Sequence, residues 1–325
     1  MEPMKRNPEA VGQCIREAET IALVSHINPD GDTLGSAAAL YLALREMGKK
    51  VSLFCDGKVP DQMSFLPAGN LFRRPTFEEG PFDLMLAVDV SDDYRLGVCA
   101  ALKDRSRRTA QIDHHPTNPL FMEVNSVDGE APATAVLIRE QLKELQVPLT
   151  KEMAICLYTA ISTDTGNFAY ASTNAETFRI MEELMDQGLP LADLNRILFR
   201  VKSRPQVLLL GKALSSLTFR GNGRIAVMKL TRKDFEACGA LSEHADTLVN
   251  YGLDTEGTDM ALLARESDSG DIKFSLRAKE PLRVDETARQ FGGGGHPQAS
   301  GITMDGKLDE CVERVVRAME EKLKE

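Results

Sequence analysis

Four of the chain's five histidines fall in three short motifs that also carry aspartates or glycines. The first is His26-Ile27-Asn28-Pro29-Asp30-Gly31-Asp32, the second Asp113-His114-His115, and the third Gly292-Gly293-Gly294-Gly295-His296. Gathering imidazoles and carboxylates in one place is costly unless something binds their lone pairs. A pair of divalent cations does so, and such a pair usually attacks a phosphate ester. Asp30 and Asp32 flank Gly31, so their side chains can splay toward two ions, and Pro29 stiffens the turn. Asp89 ends an apolar run, and Asp164 lies in Ser162-Thr163-Asp164-Thr165-Gly166 after a helix. Oxygen and imidazole ligands without thiolate suit Mn²⁺, Mg²⁺ or Co²⁺ better than structural zinc. Two such cations about 3.5–4 Å apart can clamp a bridging hydroxide and lower its pKa toward neutrality.

Each motif also has a plain structural reading. Asp30 and Asp32 could cap the helix that follows, Asp89 could bond a loop amide, and Asp113-His114-His115 could be a polar turn. Six candidate ligands at strand ends or one helix end are hard to reconcile with independent accidents. The four glycines could be a hinge or permit close packing. Alternatively, their bare N–H groups approach a phosphate, with His296 donating to the same group.

The elements that must position these residues alternate strand and helix. Apolar runs at Ile21–Ser25, Val51–Phe54, Phe82–Asp89 and Thr109–Ile112 read as strands. Leu34–Met47, Ala133–Leu145 and Lys151–Ile161 read as helices. Thr173-Asn174-Ala175-Glu176 has the pattern of a capping box for a helix stopping at Gly188. Repeated strand-then-helix predicts a parallel sheet with helices on both faces. Asp30/Asp32, Asp89 and Asp113 then follow strand ends, where open α/β sheets bind ligands. From Leu189 to about Leu217 the pattern is helical, with a break expected near Pro205. A smaller α/β pattern follows from near Arg224. Its strands fall at Ile225–Lys229, Met260–Arg265, Ile272–Ala278 and Ala299–Met304, and its helices at Thr231–Cys238, Val284–Gln290 and Leu308–Leu323.

The chain has 325 residues, 42% of them hydrophobic, enough for two cored domains. No apolar run approaches the roughly 20 residues of a membrane span, and Met1–Arg6 leads into a charged amphipathic stretch unlike a signal peptide. A cytoplasmic protein without membrane partners is expected. Six scattered cysteines form no CxxC pair and are expected to be reduced core thiols. A net charge of −10 argues against a broad surface for long duplex nucleic acid. It leaves room for a short phosphorylated ligand whose charge is met by metal ions.

In order along the chain, His26–Asp32, Asp89, Asp113-His114-His115 and Asp164-Thr165-Gly166 resemble the four motifs of the DHH phosphoesterases. Gly292–His296 with Pro297-Gln298-Ala299-Ser300-Gly301 resembles the glycine-histidine motif of the DHHA1 domain. Length and Phe168–Thr173 make the chain similar to the stand-alone nanoRNase/pAp phosphatase branch. The resemblance implies an N-terminal parallel-sheet DHH domain at 1–190, a helical linker at 191–217 and a smaller α/β DHHA1 domain at 218–325. It implies that His26 and Asp30 hold one metal, that Asp32, His114 and Asp164 hold the second, and that Asp89 bridges both. Asp113 would orient its neighbours and His115 would face the substrate phosphate. Arg277, His296 and the preceding Gly293, Gly294 and Gly295 would hold substrate. Serine at position 300 departs from the two alanines common in the family.

The implied activity is manganese-dependent hydrolysis, with Co²⁺ or Mg²⁺ as substitutes. A metal-activated hydroxide would convert short single-stranded RNA oligomers to mononucleotides and 3′-phosphoadenosine 5′-phosphate to AMP. The rivals are a phosphodiesterase for linear or cyclic dinucleotides, a pyrophosphatase or polyphosphatase, and a non-catalytic nucleotide sensor. Oligomeric state is open, a homodimer included.

Overall fold

The computed structural model describes residues 5–324. Residues 1–4 and 325, which include most of the expected amphipathic lead-in and the outer bounds of the two expected domains, lie outside the described residues. The chain divides into two compact units, the first ending at Val201 and the second beginning at Lys202.

The first unit runs α1 (Pro8–Glu17), β1 (Thr20–Val24), α2 (Gly31–Glu46), β2 (Lys50–Phe54), β3 (Phe82–Val88), β4 (Ser106–Asp113), β5 (Val124–Val127), α3 (Thr134–Glu144), α4 (Lys151–Asp164), α5 (Ala175–Asp186) and α6 (Leu191–Asn195). The sheet order is β2-β1-β3-β4-β5, and every pairing is parallel. Both faces are apolar, as a parallel sheet requires. Ile21 and Leu23 of β1 enter one core, Ala22 and Val24 another. Burying a side chain such as Ile21 or Leu23 contributes roughly 1.5–3 kcal/mol, so each strand end is anchored from two sides. Alpha helices cover the first face. A 3₁₀ segment, Tyr94–Arg105, supplies Leu96, Cys99 and Leu102 to the second. Neither that segment nor β5 shows a strong periodic signal, because β5 has only four residues and the 3₁₀ segment is kinked at Gly97.

One local reading is corrected. The box that opens α5 joins Asn174 and Thr177, with Asn174 as the cap, and does not join Thr173 and Glu176. Asn174 wins because its extended backbone lets the carboxamide accept from the Thr177 amide. The break expected near Pro205 is present, just before that residue. It falls at residues 201–203, and Pro205 sits in the first turn of α7 (Arg204–Ser215), where a missing N–H costs nothing. Before the break lies one π turn, Arg196–Arg200.

The second unit continues from α7 with β6 (Thr218–Arg220), β7 (Ile225–Leu230), α8 (Arg232–Cys238), α9 (Val249–Leu253), β8 (Met260–Glu266), β9 (Ile272–Ala278), α10 (Asp285–Gln290), β10 (Gly294–His296), β11 (Ala299–Met304) and α11 (Leu308–Lys322). Its six-stranded sheet has the order β10-β11-β9-β8-β7-β6, with only β7–β8 parallel. The three-residue strands β6 and β10 are stabilised by pairing and are too short to show periodicity. All six cysteines are buried and free. Among the described residues, no helix is long and apolar enough to cross a membrane.

Candidate metal centre

Parallel pairing puts the carboxyl ends of β1, β3 and β4 side by side, since these strands are neighbours. His26 follows β1, Asp89 follows β3, Asp113 ends β4, and His114 and His115 come next. Helices α2 and α4 complete the set. A Cβ at Gly31 would lie 2.3 Å from Thr163 Oγ1, so only glycine lets the start of α2 meet the end of α4. That approach brings Asp30 and Asp32 to Asp164.

The ligand-type atoms form three groups: His26/Asp30/Asp89, Asp32/His114/Asp164 and Asp89/His114/His115, with the atoms of each group within 4.8 Å of one another. His26 Nδ1 lies 2.6 Å from the Ile27 carbonyl oxygen, which can only accept, so Nδ1 carries the proton and Nε2 a lone pair. His114 is held in the same way by the Ala131 carbonyl at 3.0 Å. These Nε2 lone pairs face carboxylate oxygens. His26 Nε2 is 3.5 Å from Asp30 Oδ2 and 3.6 Å from Asp89 Oδ2. His114 Nε2 is 3.4 Å from Asp164, 3.6 Å from Asp89 Oδ1 and 3.7 Å from Asp32. With Nδ1 of each ring committed to a carbonyl, Nε2 and the surrounding carboxylate oxygens are the atoms free to ligate, and this oxygen and imidazole set fits divalent cations. The two oxygens of Asp89 face different groups.

In the third group, His115 Nδ1 is already committed. It lies 2.8 Å from Asp113 Oδ1, and Asn118 Nδ2 donates to Asp113 Oδ2 at 2.7 Å. The completely buried Asp113 carboxylate therefore orients His115, and no partner of His115 Nε2 occurs among the described residues. Burial lowers the His115 pKa, but Asp113 outweighs it and holds the ring above its ordinary value.

Without a cation the cluster is electrostatically strained. Burial raises the Asp32 carboxyl well above its usual range, and Asp89 and Asp164 add to the shift. Burial and repulsion from Asp89 and Asp30 push Asp164 up to about 6. Burial would raise Asp89 too, but His26, His114 and His115 hold it down at about 2. Burial opposes charge on His26, yet Asp30 and Asp89 bring its pKa up to about 10, and Asp32 and Asp89 hold His114 at about 9. A divalent cation would relieve the same repulsions that these protons relieve.

The cap considered for Asp30 is present. Its side chain caps α2, accepting from the Asp32 and Thr33 amides, and its other oxygen faces His26. Sequence reasoning missed the supporting layer. Thr134 donates its amide to Asp32 at 2.7 Å and its hydroxyl to Asp89 at 2.8 Å. The Ala135 amide and Ser36 hydroxyl also donate to Asp32. Asp32 thus caps α3 from across the fold, where the local cap, Ala133, has no side-chain acceptor. That deficient cap was the one available signal. Asp89 also adopts a positive φ of 61°, strained for a residue with a side chain.

In the second unit, His296 pairs with Ala299, and Ala299 pairs with Arg277. Residues in one cross-strand row point to the same face, so Arg277 and the exposed His296 flank the small Ala299. The Arg277 guanidinium also donates to the Leu276 carbonyl at 3.0 Å. The glycine run is partly strand. A Cβ at Gly293 would lie 2.1 Å from the Gly301 carbonyl, and one at Gly295 2.5 Å from the Ala299 carbonyl. Close packing accounts for these two glycines, while Gly294 is in open space. Ser300 donates to the His296 carbonyl at 2.9 Å, which gives its hydroxyl a partner.

Residues 20–161 match the N-terminal domain of the DHH family, and residues 222–325 match the DHHA1 domain. The chain belongs to the DHH family and is a phosphoric ester hydrolase. It is 34% identical over 306 residues to the bifunctional oligoribonuclease and PAP phosphatase NrnA of Thermus thermophilus, covering 93% of this chain and 90% of that one. It is 27% identical to the protein of the same name from Bacillus subtilis, covering 88% and 90%. The crystal structure of an exopolyphosphatase-related protein from Bacteroides fragilis superposes with a TM-score of 0.89 at 26% identity, covering 98% of this chain and 97% of that one.

Proposed function

We propose that this protein hydrolyses short single-stranded oligoribonucleotides to mononucleotides and 3′-phosphoadenosine 5′-phosphate to AMP. In this reading residues 1–190 carry the chemistry, 191–217 link, and 218–325 hold substrate. The observation that carries it is Asp89, whose Oδ2 lies 3.6 Å from His26 Nε2 and whose Oδ1 lies 3.6 Å from His114 Nε2. A carboxylate so placed serves two cations at once. His26 and Asp30 would complete one position, and Asp32, His114 and Asp164 the other. Oxygen and imidazole donors without thiolate suit Mn²⁺, with Co²⁺ or Mg²⁺ as substitutes. Divalent cations held there supply Lewis acidity and make water a usable nucleophile near neutral pH.

The chain's own residues would do the rest. The Asp113–His115 pair, fixed by Asn118, commits Nδ1 of the ring to Asp113 and leaves Nε2 for the substrate. That ring would donate to a phosphate oxygen or give its proton to the leaving oxygen. Arg277 and His296 would grip a further phosphate of the substrate. The similarity to the Thermus and Bacillus relatives supports this substrate class.

The test is release of AMP from diadenylate and from 3′-phosphoadenosine 5′-phosphate, beside cyclic dinucleotide, pyrophosphate and polyphosphate, with Mn²⁺ and with excess EDTA. Hydrolysis of the first two with Mn²⁺ and none with chelator is expected. Undiminished activity in EDTA, or preference for pyrophosphate or polyphosphate, would refute the reading.

A further inference from the structure

The turn that follows Asp164 walls a cavity of about 690 Å³ within the first unit, and none of the roles assigned above uses it. Its polar and aromatic lining comprises Tyr158, Asn167, Phe168, Asn195, Arg196 and Arg200. Four features are hard to explain as packing alone. The Tyr158 hydroxyl is fully buried and makes no hydrogen bond, though it lies beside Asn195 and Ser162. Asn167 and Phe168 both hold positive φ, 57° and 67°, in a turn closed by the Asn167 amide on the Ser162 carbonyl at 2.6 Å. Arg196 and Arg200 begin and end the π turn, a distortion frequent at functional sites. Both are exposed, and no ion pair of either with an acidic side chain occurs among the described residues.

We propose that this cavity receives the nucleobase of the nucleotide whose phosphate is cleaved at the metal centre. The inference rests on the nucleotide chemistry proposed above. Unstacked bases are bound by aromatic rings and guanidinium planes and are read along their edges by hydrogen bonds. Phe168, Arg196 and Arg200 supply the planes. The Asn195 carboxamide donates to Asn167 Oδ1 at 2.9 Å, which leaves the Asn167 amino group as donor and Asn195 Oδ1 as acceptor. That pair, with the unbonded Tyr158 hydroxyl, suits the mixed edge of a base. The volume falls within the range usual for small-molecule sites. Asn167 is three residues beyond Asp164, a span of at most about 11 Å, which is the scale of one nucleotide.

The test compares kcat/KM with Mn²⁺ for diadenylate and for its counterpart lacking the base on the nucleotide that carries the cleaved phosphate. Wild type is expected to favour the intact substrate by about ten-fold or more, the contribution of one stacked base. In Arg196→Ala/Arg200→Ala, and in Asn195→Ala, that ratio should fall toward one. An unchanged ratio overturns the inference, as does a loss equal on both substrates. A second arm needs no turnover. Calorimetry with Mn²⁺ present, where AMP as a product is not turned over, should show AMP binding weakened about ten-fold in the double variant and ribose 5-phosphate binding unaltered. Equal AMP binding by both proteins overturns the proposal. Failure of wild type to cleave either dinucleotide would instead sink the proposed function, leaving the AMP arm to decide what the cavity holds.

Discussion

The metal centre and the Arg277–His296 row are built to opposite specifications. The six candidate ligands come from four separate segments, and His26, Asp32 and Asp89 are 1–2% exposed. Nearly every ligand is itself fixed: His26 by Ile27, His114 by Ala131, Asp32 and Asp89 by Thr134. The row in the second unit draws on one sheet edge, with His296 exposed and Arg277 half-buried. The difference matches the tasks proposed for them. Holding cations that make a nucleophile demands ligand positions that do not drift. Gripping a phosphate needs charge and reach, and tolerates adjustment.

The comparison breaks most sharply at Asp89. Asp89→Ala removes the carboxylate shared by both groups and should lower hydrolysis by several orders of magnitude in a protein that still folds. Near-normal turnover, with folding checked by circular dichroism, would remove Asp89 from the chemistry. Arg277→Ala should act on one kind of substrate only. Losing a charge-assisted hydrogen bond to phosphate costs roughly 1.5–3 kcal/mol, or about 10–150-fold in kcat/KM for a dinucleotide. A chromogenic ester with no second phosphate should be hydrolysed nearly as before. Equal losses on both substrates would erase the contrast between the two regions. Thr134→Val deletes only the hydroxyl bond to Asp89. Its effect should be smallest, about ten-fold in Mn²⁺ affinity by titration, the low end for such supports. No change would mean that Asp89 is positioned by its backbone alone.

How much of this was legible depended on where the information lay. His26–Asp32, Asp113–His115 and Asp164 stand out because polar residues at the ends of apolar runs have few structural excuses, and strand adjacency then groups them. The strands that place them were legible for the same reason, as continuous apolar runs. The supports were not. Thr134, Ser36 and Asn118 are ordinary residues that gain meaning only through contacts 4 to 102 residues away. The hairpin inside the glycine run was hidden because glycine carries no strand signal, and β10 exists through its register with β11. The cavity beside Asn167 was equally invisible, since it depends on a π turn meeting a strained loop.

The account turns on one claim, that Asp89 joins two cation positions. The most direct measurement is the number of Mn²⁺ ions bound per chain, by equilibrium titration with elemental analysis, in wild type and in Asp89→Ala. The account predicts two ions in wild type and loss of tight binding at both positions in the variant. One ion in wild type, or two retained in Asp89→Ala, would contradict it.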